Sequence, residues 1–149
     1  MNNRGQMKSM VYKEKLKIIK RNALTDKEKM RVDQFILSEN TNGEFINSLK
    51  YLEYHPEDRF VDDSIIVVDA CSDTIRGLMM AAQRQGEPST IVSHPGTTFA
   101  GPIIDRKLRI QEIQSVLDVL LTYYEKKYEV ICIKPAPMCY MKQLYGIID

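Results

Sequence analysis

The apolar positions of this chain change period along its length, and each change marks an element. From Ile110 to Tyr128, Ile113, Val116, Leu117, Leu120, Leu121 and Tyr124 recur at helical spacing, while Gln111, Glu112, Gln114, Asp118, Glu125 and Lys126 fill the opposite face. That spacing predicts an amphipathic helix. An earlier helix is expected from Thr25 to about Ser38. Thr25 is a good N-cap, Glu28 completes a capping box, and Met30, Val32, Phe35, Ile36 and Leu37 form the apolar stripe. Phe45 to Tyr54 suits a second, short helix, stopped by Pro56. Ser64 to Ala70 is an almost continuous apolar run, as a buried strand requires. Thr74 to Gln83 follows the turn Cys71-Ser72-Asp73, so the two runs read as an antiparallel hairpin. Ser89 to Asp105 reads as a third, interrupted strand, and Glu129 to Lys134 as a last one ended by Pro135. At the start, residues 1–10 read as a flexible leader and Val11 to Lys20 as a first strand.

Strand, helix, helix, three strands, long helix, strand is the order of an α/β (α+β) domain with helices packed on a sheet. The 149 residues suit one domain, expected over 11–149, and 44% hydrophobic residues support a core. Twenty-one basic and 20 acidic residues leave a net charge of +1, which argues against a dedicated nucleic-acid binder. Cys71, Cys132 and Cys139 are odd in number and irregularly spaced, the pattern of reduced thiols in a cytoplasmic protein. No apolar run approaches the ~18 residues of a membrane span.

The segment Ser93-His94-Pro95-Gly96-Thr97-Thr98-Phe99-Ala100-Gly101 carries more chemistry than a connecting turn needs. Glycine lets backbone approach a ligand, and His94 and the threonine hydroxyls add donors and a group titrating near neutrality. His94 reads either as a general base or as a donor to an acyl carbonyl. Gly96, Thr97 and Thr98 are the expected substrate-binding residues, their backbone N–H groups expected to stabilise an oxyanion, with a plain bulge and turn as the competing reading. His55, Glu57 and Asp58 are too crowded around Pro56 to make a metal set, so no metal is expected, and Asp58 with Arg59 reads as an ion pair or cap. Lys134 and Tyr140 fall at the end of the last strand, where α/β folds place ligands, with a snorkelling lysine and a core tyrosine as the competing reading.

Phe45-Ile46, Leu52-Glu53-Tyr54-His55, Asp58-Arg59-Phe60-Val61-Asp62-Asp63-Ser64, the His94 segment, and Ile133-Lys134-Pro135-Ala136-Pro137-Met138-Cys139-Tyr140 together resemble the GNAT-like N-acyltransferases, in the branch related to the Fem-type enzymes that build peptidoglycan cross-bridges. The resemblance covers roughly Met30 to Tyr140. It implies a mixed, mainly antiparallel sheet with helices on both faces, truncated after its fifth strand, so that the chain looks like an N-terminal half. It implies transfer of an acyl or aminoacyl group to an amine, such as a small molecule or a cell-envelope precursor, from acyl-CoA or from aminoacyl-tRNA. The donor would lie where the fourth and fifth strands splay apart, and Tyr140 would protonate the leaving thiolate. The family's glycine-rich pyrophosphate loop is replaced here by Arg106-Lys107-Leu108-Arg109, so Arg106, Lys107 and Arg109 are the expected cofactor phosphate contacts. The competing expectation is a non-catalytic half that serves as a binding or assembly module, either as a homodimer across the exposed last strand or with a partner supplying the missing half.

Overall fold

The computed structural model describes residues 3–137. It is a mixed α+β fold. The elements are α1 (Asn3–Glu14), β1 (Leu16–Lys20), α2 (Asp26–Leu37), α3 (Leu49–Leu52), β2 (Ile65–Asp69), β3 (Ile75–Met79), β4 (Ala82–Arg84), β5 (Glu87–Val92), β6 (Ile103–Ile104), α4 (Ile110–Glu125) and β7 (Val130–Cys132), with 3₁₀ turns at Arg21–Ala23 and Phe45–Asn47.

The strands form two sheets. One has the order β1-β2-β3-β6 and is antiparallel throughout; the other has the order β4-β5-β7. In the second sheet β4 and β5 are antiparallel, while β5 and β7 run parallel, Thr90 opposite Val130 and Val92 opposite Cys132.

The two-residue period of β2 sorts the core. Ile65 and Val67 point to one face, where α4 supplies Val116, Leu120 and Tyr124 and α1 supplies Tyr12. Ile66 and Val68 point to the other, where α2 and α3 supply Val32, Ile36, Leu49 and Leu52. Alternate residues of one strand thus bury against helices on both sides, which is why the run is apolar throughout. Thr25 caps α2 as its sequence predicts, its hydroxyl accepting from the Glu28 N–H while Glu28 reaches back to the Thr25 N–H.

Several expected elements are realised differently. Residues 3–10, expected as a loose leader, belong to α1, which takes in much of the expected first strand; the strand itself begins at Leu16. The expected helix over Phe45 to Tyr54 divides at Ser48, whose hydroxyl caps α3 by accepting from the Tyr51 N–H. The strand expected over Thr74 to Gln83 breaks at Met80 and Ala81. There the chain leaves one sheet for the other, and the Ser64 hydroxyl accepts from the Ala81 N–H. The strand expected over Ser89 to Asp105 becomes β5 and β6, which lie in different sheets on either side of the His94 loop.

Candidate functional site

The His94 loop leaves the C-terminal end of β5, beside the end of its parallel neighbour β7. Backbone pairing extends one step past the strands, where the Ser93 N–H donates to the Cys132 carbonyl (2.8 Å). The Ser93 hydroxyl then fills the opening between the chains: it donates to the Ala100 carbonyl (2.9 Å) and accepts from the Lys134 N–H (2.8 Å). An isolated bridge between Ala100 and Lys134 closes the far end of the loop. Ser93 is therefore a structural pin between the two strand ends.

Within the loop, His94 has a φ of 21°, a region few residues other than glycine adopt and in which histidine is among the better tolerated. Its N–H donates to the Met80 carbonyl (3.1 Å), and its own carbonyl accepts from both the N–H (3.2 Å) and the hydroxyl (3.1 Å) of Thr97. The Gly96 N–H donates to His94 Nδ1 (3.2 Å). The amides of Gly96 and Thr97, expected to stabilise an oxyanion, are instead engaged inside the loop. Lys134 Nζ donates to the Thr97 carbonyl, and burial holds this ammonium below its usual range. Thr97 is buried, while Thr98 is exposed.

His94 is 2% exposed, and its ring stacks against His55 at 6.3 Å between centroids, with Phe60 edge-on to both. His55 Nε2 bonds the Gly96 carbonyl (3.1 Å), and its Nδ1 accepts from Arg59 (3.2 Å). Arg59, expected to pair with Asp58, lies instead over the Phe60 ring. The space beside Gly96 is fully used: a Cβ there would sit 2.6 Å from His55 Nε2 and 3.0 Å from Phe60 Cε2.

These bonds settle which nitrogens carry protons. A nitrogen that accepts an N–H bond presents its lone pair to that donor. His94 Nδ1 accepts from Gly96, so in the neutral ring the proton resides on Nε2. His55 Nδ1 accepts from Arg59, and its Nε2–H faces the Gly96 carbonyl. Burial drives His94 down to about 4, with the nearby Asp62 carboxylate opposing, so the ring is neutral at physiological pH. His94 is thereby a neutral hydrogen-bond donor. Of its two sequence readings, donor to a carbonyl is the one that uses the proton on Nε2.

His94 lines a cleft of about 540 Å³ whose other walls include Arg21, Leu24, Leu52, His55, Phe60 and Asp62. Arg21 Nη1 donates to Asp62 (3.1 Å), and the Ser64 hydroxyl holds the same carboxylate oxygen (2.7 Å). The pairing of Arg21 with Asp62 is not visible in the sequence, because it spans 41 positions.

The remaining expected residues are not assembled here. Asp105 donates its N–H to the Arg76 carbonyl at the start of β3, so Arg106, Lys107 and Arg109 lie beyond that end. His94 hangs from Met80, past the other end of β3, roughly 13 Å of strand away. The Arg106 N–H donates to the Asn40 carbonyl (2.8 Å), the Lys107 N–H to Asp105 (3.0 Å), and Arg109 is the N-cap of α4. Tyr140 and Cys139 lie outside the described residues. Among the described residues no group of three or more His, Cys, Asp or Glu side chains is placed to hold a metal ion.

A second polar cluster lies on the α4 face of the sheet. The buried Asp63 carboxylate accepts from the hydroxyls of Tyr123 and Tyr128 (2.7 Å each) and from Lys127 Nζ, with Lys20 Nζ at 3.8 Å. Burial works against both charges, and the hydrogen bonds outweigh it: Asp63 is held below the usual carboxylate range and Lys127 above the usual lysine range. The cluster ties α4 and the chain after it to the start of β2.

No protein-family model matches this chain, and no curated protein matches it.

Proposed function

We propose that this domain is a GNAT-like, Fem-related N-acyltransferase in which His94 polarises the acyl carbonyl. One observation carries the reading: a neutral imidazole with its proton on Nε2 lines a polar cleft, on a loop leaving the end of the parallel pair β5 and β7. Ligands of α/β proteins gather at such strand ends, and the resemblance places the acyl donor there.

In this mechanism an amine attacks the carbonyl carbon of a thioester. The C–N bond forms, the carbonyl oxygen gains negative charge, and the His94 Nε2–H donates to it. Collapse re-forms the carbonyl and breaks the C–S bond, expelling thiolate, while the ammonium proton leaves to water in the open cleft. A neutral donor suits this role because it bonds more strongly to an oxyanion than to the ground-state carbonyl and surrenders no proton. The loop's own bonds and the His55 contact hold the ring before substrate arrives, so little reorganisation accompanies the reaction.

Calorimetric titration of the full chain with acetyl-CoA and longer acyl-CoAs tests the reading. Saturable binding is expected, and His94→Asn, which tolerates the positive φ, is expected to retain binding and lower turnover by about 100-fold or more. A folded protein that binds no acyl-CoA overturns the thioester donor and leaves aminoacyl-tRNA as the donor to test. The alternative of a non-catalytic assembly module draws on the exposure of Val130 on β7, which among the described residues pairs only with β5. A dimer abolished by Ile131→Pro in a chain that still folds would favour it.

A further inference from the structure

Helix α1 carries an apolar stripe on its outer side. Met7, Met10 and Val11, at i, i+3 and i+4, are 67%, 64% and 51% exposed. The opposite side faces the protein: Tyr12 packs into the core beside α4, Gly5 lies near Gln111, and Lys13 pairs with Asp118 at 2.6 Å. Those two contacts run α1 alongside α4 in the same direction, which brings the amino end of α1 beside the start of α4. Ile110, the first residue of α4, is 75% exposed there.

Cations surround this apolar surface. Arg4 and Lys8 are exposed on α1, and Lys107 and Arg109 are exposed just before α4. Among the described residues none of the four is in an ion pair, and Glu14 is the one acid on the outer side of α1. The cations expected to meet cofactor phosphates thus stand away from His94 and next to an uncovered apolar stripe.

We propose that α1 and the start of α4 form a docking face for an anionic phospholipid surface, with Met7, Met10, Val11 and Ile110 entering the headgroup boundary and Arg4, Lys8, Lys107 and Arg109 meeting lipid phosphates. Charge complementarity selects this occupant. A second copy packed through a two-fold axis would bring this same face against itself, four cations with Glu14 as the one acid that α1 offers them. A nucleic acid would use the cations but leave the methionine stripe in water. An anionic lipid surface uses both halves, the exposed apolar side chains at the headgroup boundary and the cations at its phosphates. The His94 cleft draws its walls from α2 and α3, across the sheet from α1, so docking leaves it open.

The test is co-sedimentation of the full-length chain with vesicles of phosphatidylcholine alone and of phosphatidylcholine mixed with phosphatidylglycerol. Binding to the mixed vesicles only, weakened by salt, is expected. Arg4→Gln and Lys8→Gln should each weaken it by about five-fold, and the double variant Met7→Ser, Met10→Ser should remove most of it. These positions are exposed, so unchanged thermal melting by circular dichroism shows that the fold is intact. Equal binding to both vesicle types, no binding by folded protein, or full binding by the methionine variant overturns the proposal. So does a dimer in light scattering that the methionine variant dissociates, or binding of an RNA homopolymer in preference to the mixed vesicles.

Discussion

Asp62 and Asp63 are consecutive in the chain and serve opposite faces of the fold. Asp62 pairs with Arg21 in the cleft beside His94, and Asp63 is buried under Tyr123, Tyr128 and Lys127 on the α4 side. One extended dipeptide therefore links the packing of α4 to the wall of the candidate site.

Asp63→Asn keeps the shape and removes the charge that three donors share. A broken buried charge network costs several kcal/mol, reduced here because Lys127 remains partly solvated. A loss of about 2–4 kcal/mol in urea unfolding is expected, together with a fall in the Lys127 pKa measurable by NMR. Unchanged stability would show that the network contributes no net energy.

His94 makes stability depend on pH over a defined window. Its folded pKa of about 4 lies below the ordinary histidine value of 6.5. Between those values the unfolded chain binds a proton that the folded chain does not, so stability falls as pH falls through the window and is independent of this group above it. Full passage is worth about 3 kcal/mol. Asp63, also held low in the fold, drains stability further at the acid end. His94→Asn should flatten the dependence between pH 6.5 and 4 in urea titrations, and parallel curves for the two proteins would contradict the burial argument.

How much of this was legible depends on the range of the interactions. The start of α2 was, because Thr25 and Glu28 state a capping box within four residues. The two-sided burial of β2 was, because Ile65 to Val68 leave no polar position for solvent. Helix α1 was not: Met7, Met10 and Val11 face outward and only Tyr12 turns to the core, so its sequence shows no core-facing stripe. The break at Met80 and Ala81 was not either, since both residues are apolar and the cause is Ser64, 17 positions away. At the site, the residue mixture of the His94 loop marked the place. The tautomer that decides between base and donor comes from the fold of the loop back onto the ring, and the Arg21–Asp62 wall from pairing across the chain.

Tyr12 and Tyr124 form a natural contrast on the same face of the sheet. The Tyr124 hydroxyl donates to the Asp63 carbonyl (2.8 Å), whereas the Tyr12 hydroxyl is buried with no hydrogen-bond partner among the described residues. Tyr124→Phe should cost about 1 kcal/mol, and Tyr12→Phe, which removes a desolvated group, should raise stability by a similar amount. Thermal or urea unfolding of the two variants checks the opposite signs; a loss of stability in both would mean that Tyr12 is satisfied in solution.

The ring of His55 occupies the volume that a side chain at Gly96 would need, and its Nε2–H holds the Gly96 carbonyl. The two positions are consequently not free to drift apart over evolutionary time. A larger residue at position 96 must displace the imidazole at position 55, and with it the ring stacked on His94. Substitution histories should therefore show Gly96 and His55 gained and lost as a pair, a signature readable from sequences alone.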